Sequence, residues 1–324
     1  MAEARNNDDE VFVYKGRDQE EEVPHGVRRV RIHKSVKIIR RRAFQNRKYL
    51  IYVEFHDEIE VIEEYAFDGC SSLSGCIILL GVRIIKKSAF ENSRSLTGVE
   101  FGDMLETIQY SAFRGCKSFT SIKMLSVNTI ETHVFANCDE LYSVEFGESL
   151  RTLDSFAFLC CSKLNRIALP LSRTVRFRAF YKCPNLKNVD LVGGVQVHST
   201  IASLHMESWR NDMTDEINRI KQTLRIVGKK GKTEAIQQWM DTVIHKLNHY
   251  KAQHKVLLKE ATTLLELALW KAKLDDNGGG KLASEGVRTQ GRGRKRARTE
   301  SYVTSGADVV IKNVLPFLQL RDQR

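Results

Sequence analysis

A phenylalanine preceded by alanine, or once by valine, returns at Phe44, Phe67, Phe90, Phe113, Phe135, Phe158 and Phe180, at intervals of 22 or 23 residues. No other feature constrains the fold as much, because a unit this short cannot bury its own apolar face and must share it with its neighbours. An aliphatic residue stands four positions before each of those alanines or valines: Ile39, Ile62, Ile85, Ile108, Ile130, Leu153 and Val175. Six positions after each phenylalanine comes Leu50, Leu73, Leu96, Phe119, Leu141, Leu164 or Leu186. The pattern predicts a stack of seven units.

Each unit continues with two apolar residues separated by one position: Val53/Phe55, Cys76/Ile78, Val99/Phe101, Ile122/Met124, Val144/Phe146, Ile167/Leu169 and Val189/Leu191. Such alternation is a short strand with one face inward, and strands brought back once per unit lie parallel, about 4.8 Å apart, along one wall. Two residues after each phenylalanine stand Asn46, Gly69, Asn92, Gly115 and Asn137, then Cys160 and Lys182. Glycine and asparagine tolerate the left-handed backbone that ends a helical turn, so the opposite wall is expected to carry short helical or 3₁₀ turns. Cys70, Cys116, Cys138, Cys161 and Cys183 share one repeat position. A column of small buried fillers explains them all, although neighbouring members also fall within the separation a disulfide needs.

These residues resemble the BspA-type leucine-rich repeat, I-x-x-x-A-F-x-x-C-x-x-L-x-x-I-x-I-P, over about residues 27–192. Arg47 and Ser93 stand in place of the cysteine, Cys76 replaces a strand aliphatic, and the proline after the strand survives only as Pro170. The resemblance implies an α/β repeat solenoid, a right-handed leucine-rich-repeat horseshoe with a parallel sheet on its concave wall, used for recognition or adhesion, with no catalytic residues to carry over. The C-terminal part is similar to repeat proteins of this type from diatoms.

Composition and periodicity divide the chain into five expected parts. Residues 1–24 hold eight carboxylates against three cations and are expected to be disordered. Residues 25–198 form the solenoid. Over 199–274 the period changes to three and four: Met206, Trp209, Met213, Ile217, Ile220, Leu224 and Val227 give one helix, and a longer one runs on from Thr233, as a hairpin or short coiled coil. The first helix is expected to cap the last repeat; dimerisation through 233–274 is the alternative. Residues 275–305 read as a basic linker holding Arg292, Arg294, Lys295, Arg296 and Arg298, which suit a nuclear localisation signal, a phosphate-contacting patch or a solvated run. An apolar tail, 306–324, closes the chain and is expected to dock on the helices.

A formal net charge of +11 suits acidic partners. There is no apolar run of membrane-spanning length and no signal-peptide pattern at the start, and the seven cysteines are odd in number, so an intracellular, cytoplasmic or nuclear location is expected. GKKGKT at 228–233 lacks the first glycine of a phosphate-binding loop and follows a helix. His245, His249 and His254 come without the companions of a zinc motif. Neither a cofactor nor a metal is implied. The chain therefore reads as a non-enzymatic scaffold whose protein partner meets the strand positions that face outward on the concave wall: Arg31, Tyr52, Glu54, Ile77, Glu100, Lys123, Glu145 and Asp190. Ile77, with Leu79, serves there as an apolar anchor unless a neighbouring segment covers both. The alternative is a nuclear or nucleic-acid-associated factor acting through its basic linker.

Overall fold

The computed structural model describes residues 11–17, 22–171, 175–192, 200–204 and 206–278. In chain order the strands are β1 (Val11–Tyr14), β2 (Arg29–Ile32), β3 (Ile38–Ile39), β4 (Tyr52–Glu54), β5 (Val61–Ile62), β6 (Gly75–Leu79), β7 (Ile84–Ile85), β8 (Leu96–Phe101), β9 (Thr107–Ile108), β10 (Ser121–Met124), β11 (Thr129–Ile130), β12 (Ser143–Phe146), β13 (Thr152–Leu153), β14 (Arg166–Pro170) and β15 (Asn188–Val192). The longer strands make one wall in three hydrogen-bonded groups, β1-β2-β4, β6-β8 and β10-β12-β14-β15. The two-residue strands make a second, unbroken parallel wall, β3-β5-β7-β9-β11-β13. Sequence periodicity showed the inward aliphatics of this second wall without revealing that they form a sheet, because two residues are too few to show alternation.

The turns close each unit. All seven residues two positions after the phenylalanines, Asn46 through Lys182, have φ between 58° and 74°. Seven more that the pattern did not flag, two positions before the phenylalanines, are left-handed too: Arg42, Tyr65, Ser88, Ser111, His133, Phe156 and Arg178, with φ between 52° and 62°. Paired left-handed residues turn the Ala-Phe peptide so that its N–H points along the stack. Phe44 N donates to Ala66 O, Phe67 N to Ala89 O and Phe90 N to Ala112 O, each at 2.7 Å, and the bond recurs up to Phe158 N with Ala179 O. The rings follow in one buried file, centroids 4.8 to 5.7 Å apart and nearly parallel.

The cysteine column proves to be more than filler. The thiols of Cys70, Cys116, Cys138, Cys161 and Cys183 each donate to the phenylalanine carbonyl of the preceding unit, and Ser93 makes the same bond at 3.0 Å where the column lacks a cysteine. All seven cysteines are free thiols.

Two expectations need correction. Residues 11–17 and 22–24 are not disordered: β1 pairs in parallel with β2 from Val11↔Arg29 to Tyr14↔Ile32, and the buried Tyr14 ring sits 5.0 Å from Phe44, covering the first ring of the file. Acidic composition hid a four-residue strand. In the second unit Ile77 faces inward, only 4% exposed, while Ile78 faces outward at 51%. The register of β6 against β8 shifts between Gly75 and Cys76, passing over Thr97 of β8 and setting Ile77 opposite the inward Val99, and in a strand a shift of one exchanges the two faces. Gly75, at φ 81°, supplies the backbone conformation the shift needs, and the run Cys-Ile-Ile-Leu-Leu is apolar enough to fit either register.

Two helices follow, α1 (Glu207–Ile226) and α2 (Lys232–Gly278). The described residues fall into two compact units, one holding the repeats with 214–245 and the other 200–213 with 246–278. In the first unit the seventh repeat ends against groups that imitate an eighth. Phe180 N donates to the Thr233 hydroxyl at 3.0 Å, Lys182 N to Lys229 O at 2.9 Å, and the Gln237 amide to Val175 O at 2.8 Å. The backbone groups of the last repeat are thus met by the α1–α2 turn and the start of α2. In the second unit Asp212 accepts from Lys246 at 2.9 Å and Tyr250 at 2.8 Å, and Trp209 stacks on Tyr250.

Replacing Thr233 by valine keeps the volume and strands the Phe180 N–H, a loss of about 1–3 kcal/mol for a buried unpaired donor. A lowered urea midpoint checks this; an unchanged midpoint would mean the cap does not rest on that bond.

Candidate binding surface

The outward positions of the long-strand wall carry the residues expected there. Arg31, Tyr52, Glu54, Glu100 and Lys123 are exposed, and Glu145 and Asp190 half-buried. Ile77 leaves the set, and Ile78 takes its place. Three of the four acidic members are neutralised by the unit beside them: Arg31 Nε lies 2.6 Å from Glu54, Lys123 Nζ 3.1 Å from Glu145, and Arg166 Nε 2.5 Å from Asp190. Units stacked in register place opposite charges about one strand spacing apart, where exposed pairs contribute little stability but cancel the local field. Glu100 has no ion pair among the described residues.

Glu100 lines a groove of about 560 Å³, together with Cys76, Thr97, Gly98, Phe101, Asp103, Thr120, Ser121, Lys123 and Leu125. The groove lies where the strand ladder is interrupted between β8 and β10. Gly98 adds no side chain to it, and a Cβ there would meet the Cys76 sulfur at an ordinary contact distance of 3.5 Å. Exposed Ile78, Leu80 and Leu125 add apolar area beside it. Gly98 and the aliphatic pair Ile78/Leu80 were missed as site residues; the glycine inside a strand pattern was the available signal.

The surface offers no activated nucleophile. Burial, and next the charge of Glu100, push the Cys76 thiol up from its ordinary value, and burial pushes Cys70 to about 12, so both stay protonated at neutral pH. The phosphate-loop look-alike is structural: Lys232 Nζ donates to Leu224 O, and the Thr233 hydroxyl accepts from Phe180. Among the described residues no group of three histidine, cysteine or acidic side chains has metal-binding geometry, and no helix is long and apolar enough to cross a membrane. The basic set Arg292, Arg294, Lys295, Arg296 and Arg298, with the linker and the apolar tail, lies outside the described residues.

Stacked parallel strands, a buried phenylalanine file and a capped last turn define a leucine-rich-repeat solenoid. The chain belongs to the BspA type leucine rich repeat region family, which matches in six copies over residues 25–120 and 106–203. No curated protein matches it. Among solved structures, a leucine-rich repeat protein of T. pallidum is similar at 30% identity, covering 41% of this chain and 63% of its own, with a TM-score of 0.39. One from Bacteroides ovatus is 23% identical, covering 51% and 61%, with a TM-score of 0.35. The pneumococcal vaccine antigen PcpA is 22% identical, covering 56% and 62%, with a TM-score of 0.33. The chain thus spans under two thirds of the length of each of these three.

Exposure and a raised thiol pKa set the order of cysteine modification. With iodoacetamide on the native protein, Cys76 is expected to react first, more slowly than free cysteine at pH 7, and faster as rising pH yields thiolate. Peptide mapping checks it; rapid labelling of Cys116 or Cys138 would contradict the buried column.

Proposed function

We propose that this chain is a non-catalytic scaffold that binds a protein partner through the outward face of its long-strand wall, centred on the groove at Gly98. One observation carries the reading: Glu54, Glu145 and Asp190 are paired, while Glu100 has no ion pair among the described residues and lies beside exposed Ile78, Leu80 and Leu125. An apolar centre with a directional charge at its edge is how interface energy concentrates. The fitting partner presents an apolar side chain next to a basic one. The protein works in a reducing compartment, as its free thiols and the column of thiol donors suit.

The test is quantitative affinity capture from cells with the full chain. Ile78→Asp and Glu100→Lys are expected to lose the partner at least tenfold, whereas Glu54→Gln, which removes a neutralised carboxylate, keeps it. Equal recovery with all three variants would overturn the groove as the site.

A second reading concerns self-association. Val256, Leu264, Leu267, Leu269 and Trp270 are exposed on α2, Trp270 at 64%. Pairing of two copies along this stretch, within 233–274, would cover them. Light scattering of the full chain is expected to give a dimer mass that Leu264→Glu with Trp270→Glu reduces to a monomer; a monomer of the unaltered chain at high concentration removes this reading.

A further inference from the structure

The turn wall carries a second file of side chains, at and beside the positions two and three before each buried phenylalanine. Arg42 lies over the Tyr65 ring at 5.6 Å, and Lys87 lies 5.7 Å from both Tyr65 and Tyr110. Tyr110 meets His133 edge-on, His133 stacks on Phe156 at 5.4 Å, and Phe156 meets Phe177 and Tyr181 edge-on. Arg178 covers Phe177 at 4.6 Å and Tyr181 at 5.2 Å, and Lys182 lies 5.8 Å from Tyr181. Cations and rings therefore form one continuous file from the first repeat to the seventh, inside a single compact unit.

The fold does not need these side chains. The backbone at this position is left-handed whatever the residue, and Ser88 and Ser111 occupy it in the third and fourth units. Nor are the charges balanced. Most of the wall's carboxylates are paired with other cations, Glu63 with Lys86, Glu64 with Arg41, Glu91 with Arg114 and Asp154 with Arg176, while Glu131 accepts from Tyr110 N and Lys87 hydrogen-bonds Tyr65 within the field of Glu64. Arg42, Lys87, Arg178 and Lys182 make no ion pair among the described residues. Burial, and next the charge of Arg114, lower the His133 pKa, so at neutral pH it serves as a ring and not as a cation.

We propose that this file is a binding surface for single-stranded nucleic acid, with phosphates on Arg42, Lys87, Arg178 and Lys182 and bases against the exposed rings of Tyr110 and Phe177. Tyr110 is 39% exposed and Phe177 55%. Unpaired cations supply the salt-dependent attraction to a phosphate backbone. Exposed aromatic area interleaved with them supplies stacking that any base can use. An acidic peptide would satisfy the cations and leave the rings without a role. This surface is separate from the groove at Gly98.

The test uses the full chain with Arg292, Arg294, Lys295, Arg296 and Arg298 all changed to glutamine, so that this set cannot supply the binding. Fluorescence anisotropy follows a labelled oligothymidylate long enough to span the seven repeats. Binding is expected to persist in this parent and to weaken about tenfold in Tyr110→Ala with Phe177→Ala, while Tyr110→Phe with Phe177→Tyr restores it. Arg178→Gln with Lys182→Gln is expected to weaken binding and reduce the salt slope by roughly 1.4, the value for two phosphate contacts on a single strand. Loss of all binding in the parent, full affinity in the alanine variant, or displacement of the oligonucleotide by polyglutamate as effective as by unlabelled oligonucleotide would each overturn the proposal.

Discussion

Each phenylalanine N–H reaches the carbonyl of the residue before the next unit's phenylalanine, and the rest of the structure follows from that bond. At 2.7 to 3.0 Å from Phe44 to Phe158 it sets one pitch for the stack. That pitch holds the rings nearly parallel with centroids 4.8 to 5.7 Å apart, within the range in which aromatic pairs attract, so ring contact adds to the burial of the whole ring. The bond also requires a left-handed residue on each side of the Ala-Phe pair, and it brings each thiol of the column within reach of the phenylalanine carbonyl in the preceding unit. A stack held this way needs an acceptor after its last N–H. The Thr233 hydroxyl provides it, and so a helical segment finishes a repeat array without being a repeat.

One pitch makes every surface position into a file, and each file acquires its own chemistry. On the long-strand wall the file is largely charged and alternates in sign, so that neighbouring units cancel each other, as Arg31 does for Glu54 and Lys123 for Glu145. That alternation fails at Gly98, which carries no side chain, and at Glu100, which has no ion pair among the described residues. On the turn wall the file is a run of rings with cations toward its two ends, Arg42 and Lys87 at one and Arg178 and Lys182 at the other. The same scaffold therefore presents two faces with different electrostatics.

Much of this was legible before the fold. Phe44 through Phe180, their aliphatic partners and the glycine or asparagine turn residues announce a stack of short units, because only a repeating structure makes use of a repeating side chain. The family match over 25–203 agrees with that pattern. Which residues face outward on the long-strand wall was legible too wherever polar and apolar residues alternate, as at Val53-Glu54-Phe55 and Val144-Glu145-Phe146. Failures came where local sequence is ambiguous. Val11–Tyr14 sits within an acidic segment and becomes a strand only because β2 offers an unpaired edge. In Cys76 to Leu80 every residue is apolar, so the choice of face fell to the register shift at Gly75 and to pairing with β8, Ile77 against Val99.

By itself, then, the sequence determined a solenoid of parallel strands with phenylalanine at its centre, since period and polarity are properties of the chain and hold in any register. Only the tertiary structure decided how its neighbours use one another: which acidic groups are neutralised, which of Ile77 and Ile78 faces the groove, which helix segment completes the last turn, and that Arg42, Tyr65, Lys87 and Tyr110 form one file. Those outcomes depend on contacts between residues about 23 or more positions apart, and a contact between units exists only once the pitch has been set.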